Sequence, residues 1–234
     1  FLFNYVWTKD EASGQISKFP RYPFIENKLI PEYLHPAGYI LLKSRQMMAS
    51  WLSAAVNIWE CNFFKGYTNV IRSRALDPEA KALKSRCQFI YNHFPEWLQM
   101  ELEYENTTQM VWKHRNTQLI CTAGGRSYTA HRFTIDEFAH IENSEEALSE
   151  AGPTLSSGGI LNLISSPNGK HNAFYRRWQE PGSLRKVTLH WREHPLRDDD
   201  WKMQTKLRLG LTDAAWIREF ELSFEQPIGQ PVYA

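Results

Sequence analysis

The sequence predicts an α/β domain whose mainly parallel central sheet is flanked by helices on both faces. Two observations lead there. Short apolar runs of strand length alternate with helical patterns over most of the 234 residues. Strands separated by helices need crossover connections, which favour parallel pairing with both sheet faces covered. In addition, residues 51–63 (WLSAAVNIWECNF) are apolar almost all round, as in a helix that lies inside a core.

The elements follow in order. Residues 38–42 (GYILL) read as a short buried strand ahead of the 51–63 helix, and residues 67–71 (YTNVI) as a second strand. Asp77-Pro78-Glu79 opens the next helix, with Asp as the N-cap, Pro at the first helical position and early acid complementing the helix dipole. That helix runs to about His93, where Pro95 stops it. Residues 109–113 and 117–122 form a hairpin around His114-Arg115-Asn116. Further strands lie at 132–136 (RFTID), 159–165 (GILNLIS) and 186–191 (KVTLHW), with helices at 144–151 and 171–178 between them. Helices at 198–209 and 212–224 close the chain. Thr212-Asp213 gives the last one a hydroxyl cap and an acid in its first turn. Asp198-Asp199-Asp200 reads as the cap of a helix beginning at Trp201. Residues 226–231 (QPIGQP) have linker composition, so the expected organisation is one domain over 1–225 and a linker over 226–234.

Composition limits the function. Hydrophobic residues make up 42% and charged residues 23%, which is globular. Lys+Arg total 27 against 26 Asp+Glu, a net charge of +1; this argues against a polycationic nucleic-acid coat or a basic membrane binder and leaves room for a local basic groove. Cys61, Cys87 and Cys121 lie far apart without a CxxC pair, so they read as buried, reduced thiols and not as a zinc site. No apolar run approaches the roughly 20 residues that span a bilayer. The first residues lack a basic leader and a small-residue cleavage site. The expectation is a soluble, intracellular chain.

Two segments carry chemistry. Lys43-Ser44-Arg45-Gln46-Met47-Met48-Ala49-Ser50 joins a buried strand to a buried helix. A loop there aims backbone N–H groups above the carboxyl edge of the sheet, and the positive helix end adds to an anion site suited to phosphate. Lys43 and Arg45 contribute charge, and Ser50 a hydroxyl of the kind that ligates nucleotide-bound magnesium. The regular GxxxxGK[ST] pattern is absent, and the segment alone also fits a solvated turn. The second segment, Asp136-Glu137, ends an apolar strand. Asp136 could hold Mg2+ and Glu137 could polarise a water for attack on a γ-phosphate; a helix cap or a solvent-facing pair is the plainer reading. The separation of Asp136 from Ser50 leaves room for two or three βα units, as in nucleotide-hydrolysing sheets with both motifs on neighbouring strands.

Other charged stretches have plainer readings. Residues 170–186 (KHNAFYRRWQEPGSLRK) mix cations with aromatics, as DNA-tracking surfaces and solvated helix faces both do. Arg72, Arg74, Lys81, Lys84 and Arg86 are expected at solvent. Trp51 and Trp59 fit a core helix, and Trp191, Trp201 and Trp216 are expected to pack the C-terminal helices.

Taken together, the Lys-Ser-Arg-Gln loop, the strand Asn69-Val70-Ile71 with its Ser73 turn and the FTIDE strand form a recognisable series. It continues through the Ser165-Ser166-Pro167-Asn168-Gly169 turn to the closing helix Trp216-Ile217-Arg218-Glu219-Phe220-Glu221. In order and spacing this series resembles the ATPase domain of viral large terminases, the DNA-packaging motors of tailed bacteriophages, from about Phe19 to Phe224.

The resemblance implies a RecA/ASCE-like P-loop NTPase fold and a MgATP-hydrolysing motor that drives double-stranded DNA into a procapsid. It implies a deviant phosphate loop spanning Lys43, Ser44, Arg45, Gln46, Met47, Met48, Ala49 and Ser50, with Lys43 on the β/γ-phosphates and Arg45 sensing the γ-phosphate. Ser50 and Asp136 would hold magnesium, Glu137 would be the catalytic carboxylate, and Ser165 and Ser166 would couple phosphate state to motion. Arg126 would act in trans on a neighbouring subunit's ATP. Met48 stands where the family often has Gly, Ala49 where it usually has Lys, and Ile25 or Glu26 near the place of an adenine-binding glutamine. Tyr22 or Phe24 could stack on adenine instead. The implied partners are DNA, a homo-oligomeric ring (a pentamer) on the portal protein, and the small terminase subunit, in the cytoplasm of an infected bacterium and without a membrane. No nuclease activity is expected of this fragment. A helicase or recombination ATPase, and a nucleotide- or DNA-binding assembly module without catalysis, are the alternatives.

Overall fold

The computed structural model describes residues 1–10, 13–124 and 128–225. Its strands are β1 (Trp7–Lys9), β2 (Ile16–Lys18), β3 (Tyr39–Lys43), β4 (Thr68–Arg72), β5 (Leu102–Glu105), β6 (Gln109–Trp112), β7 (Thr117–Thr122), β8 (Arg132–Ile135), β9 (Ile160–Ser165) and β10 (Arg185–Leu189). The helices are α1 (Leu2–Tyr5), α2 (Ile30–Tyr33), α3 (Ala49–Phe63), α4 (Lys81–Asn92), α5 (Ser144–Ser149), α6 (Gly152–Ser156), α7 (Ala173–Gln179), α8 (Asp199–Leu209) and α9 (Asp213–Phe220). Among the described residues, eight strands form one sheet in the order β10-β3-β9-β8-β4-β7-β6-β5, and β1 and β2 form a separate antiparallel hairpin. Pairing is parallel from β10 to β7 and antiparallel through β6 and β5.

The parallel α/β architecture matches the expectation, and the reason is visible in β3. All five of its residues are buried, and the alternation of a strand sends Leu41 into one core and Ile40 and Leu42 into the other. The first core packs α3 and α4 against the sheet through Leu52, Ile58, Leu83 and Ile90. The second lies on the opposite face around Phe133, Phe138 and Phe174. Trp191, Trp216 and Phe220 form a third, smaller cluster, against which Trp201 packs.

Several expectations need correction. The strands that carry the two motifs, β3 and β8, are not neighbours: β9 stands between them, in register Leu42↔Ser165 on one side and Ile135↔Leu163 on the other. The edge strand β5 was not expected, because Leu-Glu-Tyr-Glu is half exposed and lacks an apolar run. Asp77 has the extended backbone of an N-cap (φ −122, ψ 125), but its carboxylate takes the Lys81 ammonium at 2.5 Å, residues 76–80 wind as a wider turn, and regular α-helix, α4, starts only at Lys81. Helix α9 ends at Phe220 and not 224, with Leu222 in the left-handed region (φ 54). Arg72 and Lys84 are buried and not at solvent, since each is brought against a carboxylate: Arg72 against Glu150, and Lys84 against Glu105 at 2.5 Å. Cations of the 170–186 stretch engage nearby groups, Arg176 with Glu145, Arg185 with Glu32 and Lys186 over the Trp178 ring at 4.5 Å.

Asp198 caps α8 by accepting the Trp201 N–H at 2.8 Å, and Thr212 caps α9 through Ala215 at 3.2 Å. The three cysteines are buried and free. Among the described residues no helix is long and apolar enough to cross a membrane. Residues 226–234, read as a linker, lie outside the described residues.

Candidate functional site

In a parallel sheet the loops beyond the strand C-termini share one edge, and there the motif residues meet. Lys43 is the last residue of β3 and is buried, yet its Nζ donates to Glu137 Oε1 at 3.0 Å, across the end of β9. Ser50, in the first turn of α3, donates its hydroxyl to Asp136 Oδ2 at 3.0 Å. Asp136 Oδ1 also accepts the Glu137 N–H at 3.2 Å, and Glu137 itself turns left-handed (φ 52, ψ 39), which lifts its side chain off the strand line.

Between β3 and α3 the backbone makes two left-handed turns, at Gln46 (φ 56) and Met48 (φ 58). A non-glycine residue pays about 1–2 kcal/mol for that conformation. The expectation that Met48 occupies a glycine-type position is thus matched by its backbone angles. The first bond of α3 runs from the Leu52 N–H to the Met48 carbonyl at 2.9 Å. The amides of Ala49, Ser50 and Trp51 precede it, the helix supplies them no acceptor, and they suit an anion.

The charges are mutually supporting. Burial acts to lower the Lys43 pKa, but the Glu137 and Asp136 carboxylates outweigh it and the net shift is upward. Burial, followed by the Glu137 charge, raises the Asp136 carboxyl. Glu137 feels burial too, yet the charge and hydrogen bond of Lys43 outweigh it and hold this carboxyl below its ordinary value. His140, with Nε2 at 3.9 Å from Glu137 Oε2, is lowered by burial.

The remaining expected residues fall into four groups. Arg45 lines the same cavity, but its guanidinium pairs with the Glu219 carboxylate of α9 and its amide donates to the Glu219 carbonyl at 3.2 Å. Ser44, expected in the nucleotide cradle, turns away from it: the hydroxyl donates to the Phe220 carbonyl at 2.5 Å and accepts the Trp191 N–H at 3.0 Å. Ser165 and Ser166 are buried at the end of β9, where Ser165 Oγ accepts the Ala139 N–H at 3.0 Å and Ser166 Oγ meets His140 Nε2 at 3.0 Å. Arg126 lies outside the described residues.

A cavity of about 990 Å³ opens above this edge, walled by Lys43, residues 45–51, Glu137 and His140, with Tyr22, His194 and Arg197 among its further lining residues. Tyr22 packs against His194 with tilted rings (4.6 Å between ring centroids), while Phe24 is buried. Ile25 is buried as well, and the Glu26 carboxylate is taken by Arg21 at 3.1 Å. The donor set fits magnesium. Ser50 and Asp136 supply hard oxygens, and among the described residues no three His, Cys, Asp or Glu gather into an all-protein cage; Mg2+ typically takes one or two protein oxygens and fills its shell with water and phosphate.

Sequence reasoning missed Glu219, His140 and Arg197. The signal for Arg197 was its place just after the last parallel strand, on the edge where the site had to be.

No protein-family model matches this sequence, and no curated protein matches it. Solved structures do. The large terminase ATPase domain of Thermus phage P74-26 superposes with a TM-score of 0.61 at 18% identity, covering 81% of this chain and 89% of that one. The HK97 bacteriophage large terminase gives 0.70 at 13% identity over 95% of this chain and 53% of that one. The large terminase of a thermophilic bacteriophage, in complex with ATP-gamma-S, gives 0.56 at 12% identity over 82% and 49%. The chain spans about half the length of the last two proteins. It shares the α/β fold, with a mostly parallel sheet flanked by helices, of these phage large-terminase structures.

Proposed function

We propose that this chain is the MgATP-hydrolysing motor domain of a phage terminase large subunit, which powers movement of double-stranded DNA into a procapsid. The observation that carries the reading is the meeting of the Lys43 ammonium with Glu137 at 3.0 Å beside the amides that open α3. That arrangement lines one cavity with a buried cation, the N–H donors that open a helix and a carboxylate. The likeness to terminase ATPase domains, one of them solved with ATP-gamma-S, supports the same conclusion.

In this reading Lys43 and the loop amides hold the β- and γ-phosphates, and the triphosphate replaces Glu137 as the partner of the Lys43 ammonium. Glu137, thereby released, orients the attacking water. Ser50 and Asp136 would hold Mg2+, which would supply charge neutralisation at the phosphates. Arg45 senses the γ-phosphate, Arg126 acts on a neighbouring subunit's nucleotide, and Ser165 and Ser166 transmit the change through the turn that follows Glu137. The partners proposed are the portal, the small terminase subunit and further copies in a pentameric ring, in the cytoplasm of an infected bacterium.

The test is nucleotide binding and phosphate release measured side by side with double-stranded DNA present. The wild-type chain is expected to do both. Glu137→Gln is expected to bind ATP and to release phosphate at least ~100-fold more slowly, the range seen on losing a general base. Undiminished release by the variant would remove Glu137 from the chemistry.

A further inference from the structure

The loop after β10 carries a guanidinium that the proposed chemistry leaves without a task. Arg197 Nη2 donates to the Gln46 carbonyl at 2.7 Å and Nη1 to the Arg45 carbonyl at 3.2 Å. Nη1 also approaches Met47 Sδ at 3.2 Å. The guanidinium plane is held from its other side by the Trp201 ring, 4.5 Å away, and the Arg197 amide is fixed to the His194 carbonyl at 3.0 Å. Burial pulls the Arg197 pKa down to about 10, so the side chain is still a cation at neutral pH.

Two consequences follow from covalent geometry. A trans peptide holds its C=O and N–H on opposite sides. Drawing the carbonyls of Arg45 and Gln46 toward Arg197 therefore points the amides of Gln46 and Met47 the opposite way. The same contacts also cover two oxygens in the wall of the cavity, where bare carbonyls would repel a polyphosphate. The fork of the guanidinium matches this task, since it can serve two carbonyls from one fixed plane.

We propose that Arg197 is a positioning residue for the phosphate loop: it sets the peptide planes after Arg45 and Gln46 and screens their carbonyl oxygens from a bound nucleoside triphosphate. This rests on the nucleotide-binding reading above. Arg197 acts through the loop and touches no reacting atom, so its loss weakens triphosphate binding and leaves turnover at saturation nearly intact.

The experiment is calorimetric titration of the full chain with ATPγS and Mg2+, with steady-state phosphate release from ATP in parallel, on wild type, Arg197→Ala and Arg197→Lys. Thermal melts by circular dichroism establish that each variant is folded. Arg197→Ala is expected to bind ATPγS at least ~10-fold more weakly, as for loss of charge-assisted hydrogen bonds, with KM raised in step and kcat within about threefold. Arg197→Lys keeps the charge and reaches one carbonyl, so it should fall between the two. If Arg197→Ala does not fold, the Lys variant decides: affinity weaker than wild type with kcat unchanged supports the role, and affinity equal to wild type overturns it. Equal affinity in wild type and folded variant overturns the positioning role alone. A fall in kcat at unchanged KM also overturns it, because that pattern belongs to a transition-state contact. A wild-type chain that binds no ATPγS overturns the nucleotide reading and this inference with it.

Discussion

The Lys43 ammonium stands 3.0 Å from Glu137 Oε1 although a whole strand, β9, separates the strands that carry them. The pair therefore closes over the end of β9, directly above Ser165 and Ser166. Lys43→Met keeps the length and apolar stem of the side chain and removes its charge. It is expected to weaken triphosphate binding by about 10–150-fold, the equivalent of roughly 1.5–3 kcal/mol for a hydrogen bond to a charged group. Calorimetric titration checks this; affinity within twofold of wild type would take Lys43 off the phosphates.

Met48 sits in the left-handed region at the entrance to α3. Glycine adopts that conformation freely and a β-branched residue does not. Met48→Gly should leave stability within about 1 kcal/mol of wild type, the released strain offsetting lost packing, whereas Met48→Val should cost about 1–3 kcal/mol. Urea denaturation of both variants decides, and equal midpoints would mean that the loop relaxes at no cost.

Gly38 precedes β3 with φ +71, and a Cβ placed there would lie 2.0 Å from the Leu161 carbonyl oxygen of β9. Backbone blocks backbone at that point, so no rotamer change can relieve it. Gly38→Ala is expected to lose more than about 3 kcal/mol and to lower the yield of soluble protein; a melting temperature near that of wild type would show that β3 and β9 can separate locally.

His194 packs against Tyr22 and Phe24, and its Nδ1 accepts the Leu196 N–H at 3.2 Å. Burial, aided by the Arg197 charge, brings its pKa down to about 4 from 6.5. The folded chain thus resists a proton that the unfolded chain accepts. The stabilisation is complete above pH 6.5 and is lost as pH falls toward 4, by about 1–3 kcal/mol. Urea midpoints at pH 7.5 and 4.5 should differ less in His194→Gln than in wild type. An identical difference in both would assign the acid sensitivity to other groups.

The sheet was legible because the runs at 39–43 and 160–165 are largely apolar on both faces, as central strands are, and the run at 132–135 carries Phe133 and Ile135 at strand spacing. β5 was not, since an edge strand with one wet face carries no such mark. The position of β9 was hidden for a different reason. Strand order is a property of crossovers, and no local pattern records which strand a chain returns beside. Within the site, Lys43, Ser50, Asp136 and Glu137 could be read because each ends a strand or opens a helix at a motif. Ser44 could not be read correctly, because its hydroxyl answers to Phe220 and Trp191, more than 140 positions away. Buried Arg72 and Lys84 misled for a similar reason: long cations go inside when a distant carboxylate meets them, and the sequence gives no sign of the meeting.

The cluster of Trp191, Trp201 and Trp216, with ring centroids 5.4–5.8 Å apart, is joined to the loop between β3 and α3 by the bond from the Trp191 amide to Ser44. The Glu221 carboxylate receives the indole N–H of Trp216 at 2.6 Å and that of Trp191 at 3.3 Å. Indole emission shifts in colour and yield with nearby charge and with the packing of adjacent rings. The molecule therefore carries its own optical probe, wired to the segment whose rearrangement matters, and ligand-driven motion there can be followed in real time without attaching a dye.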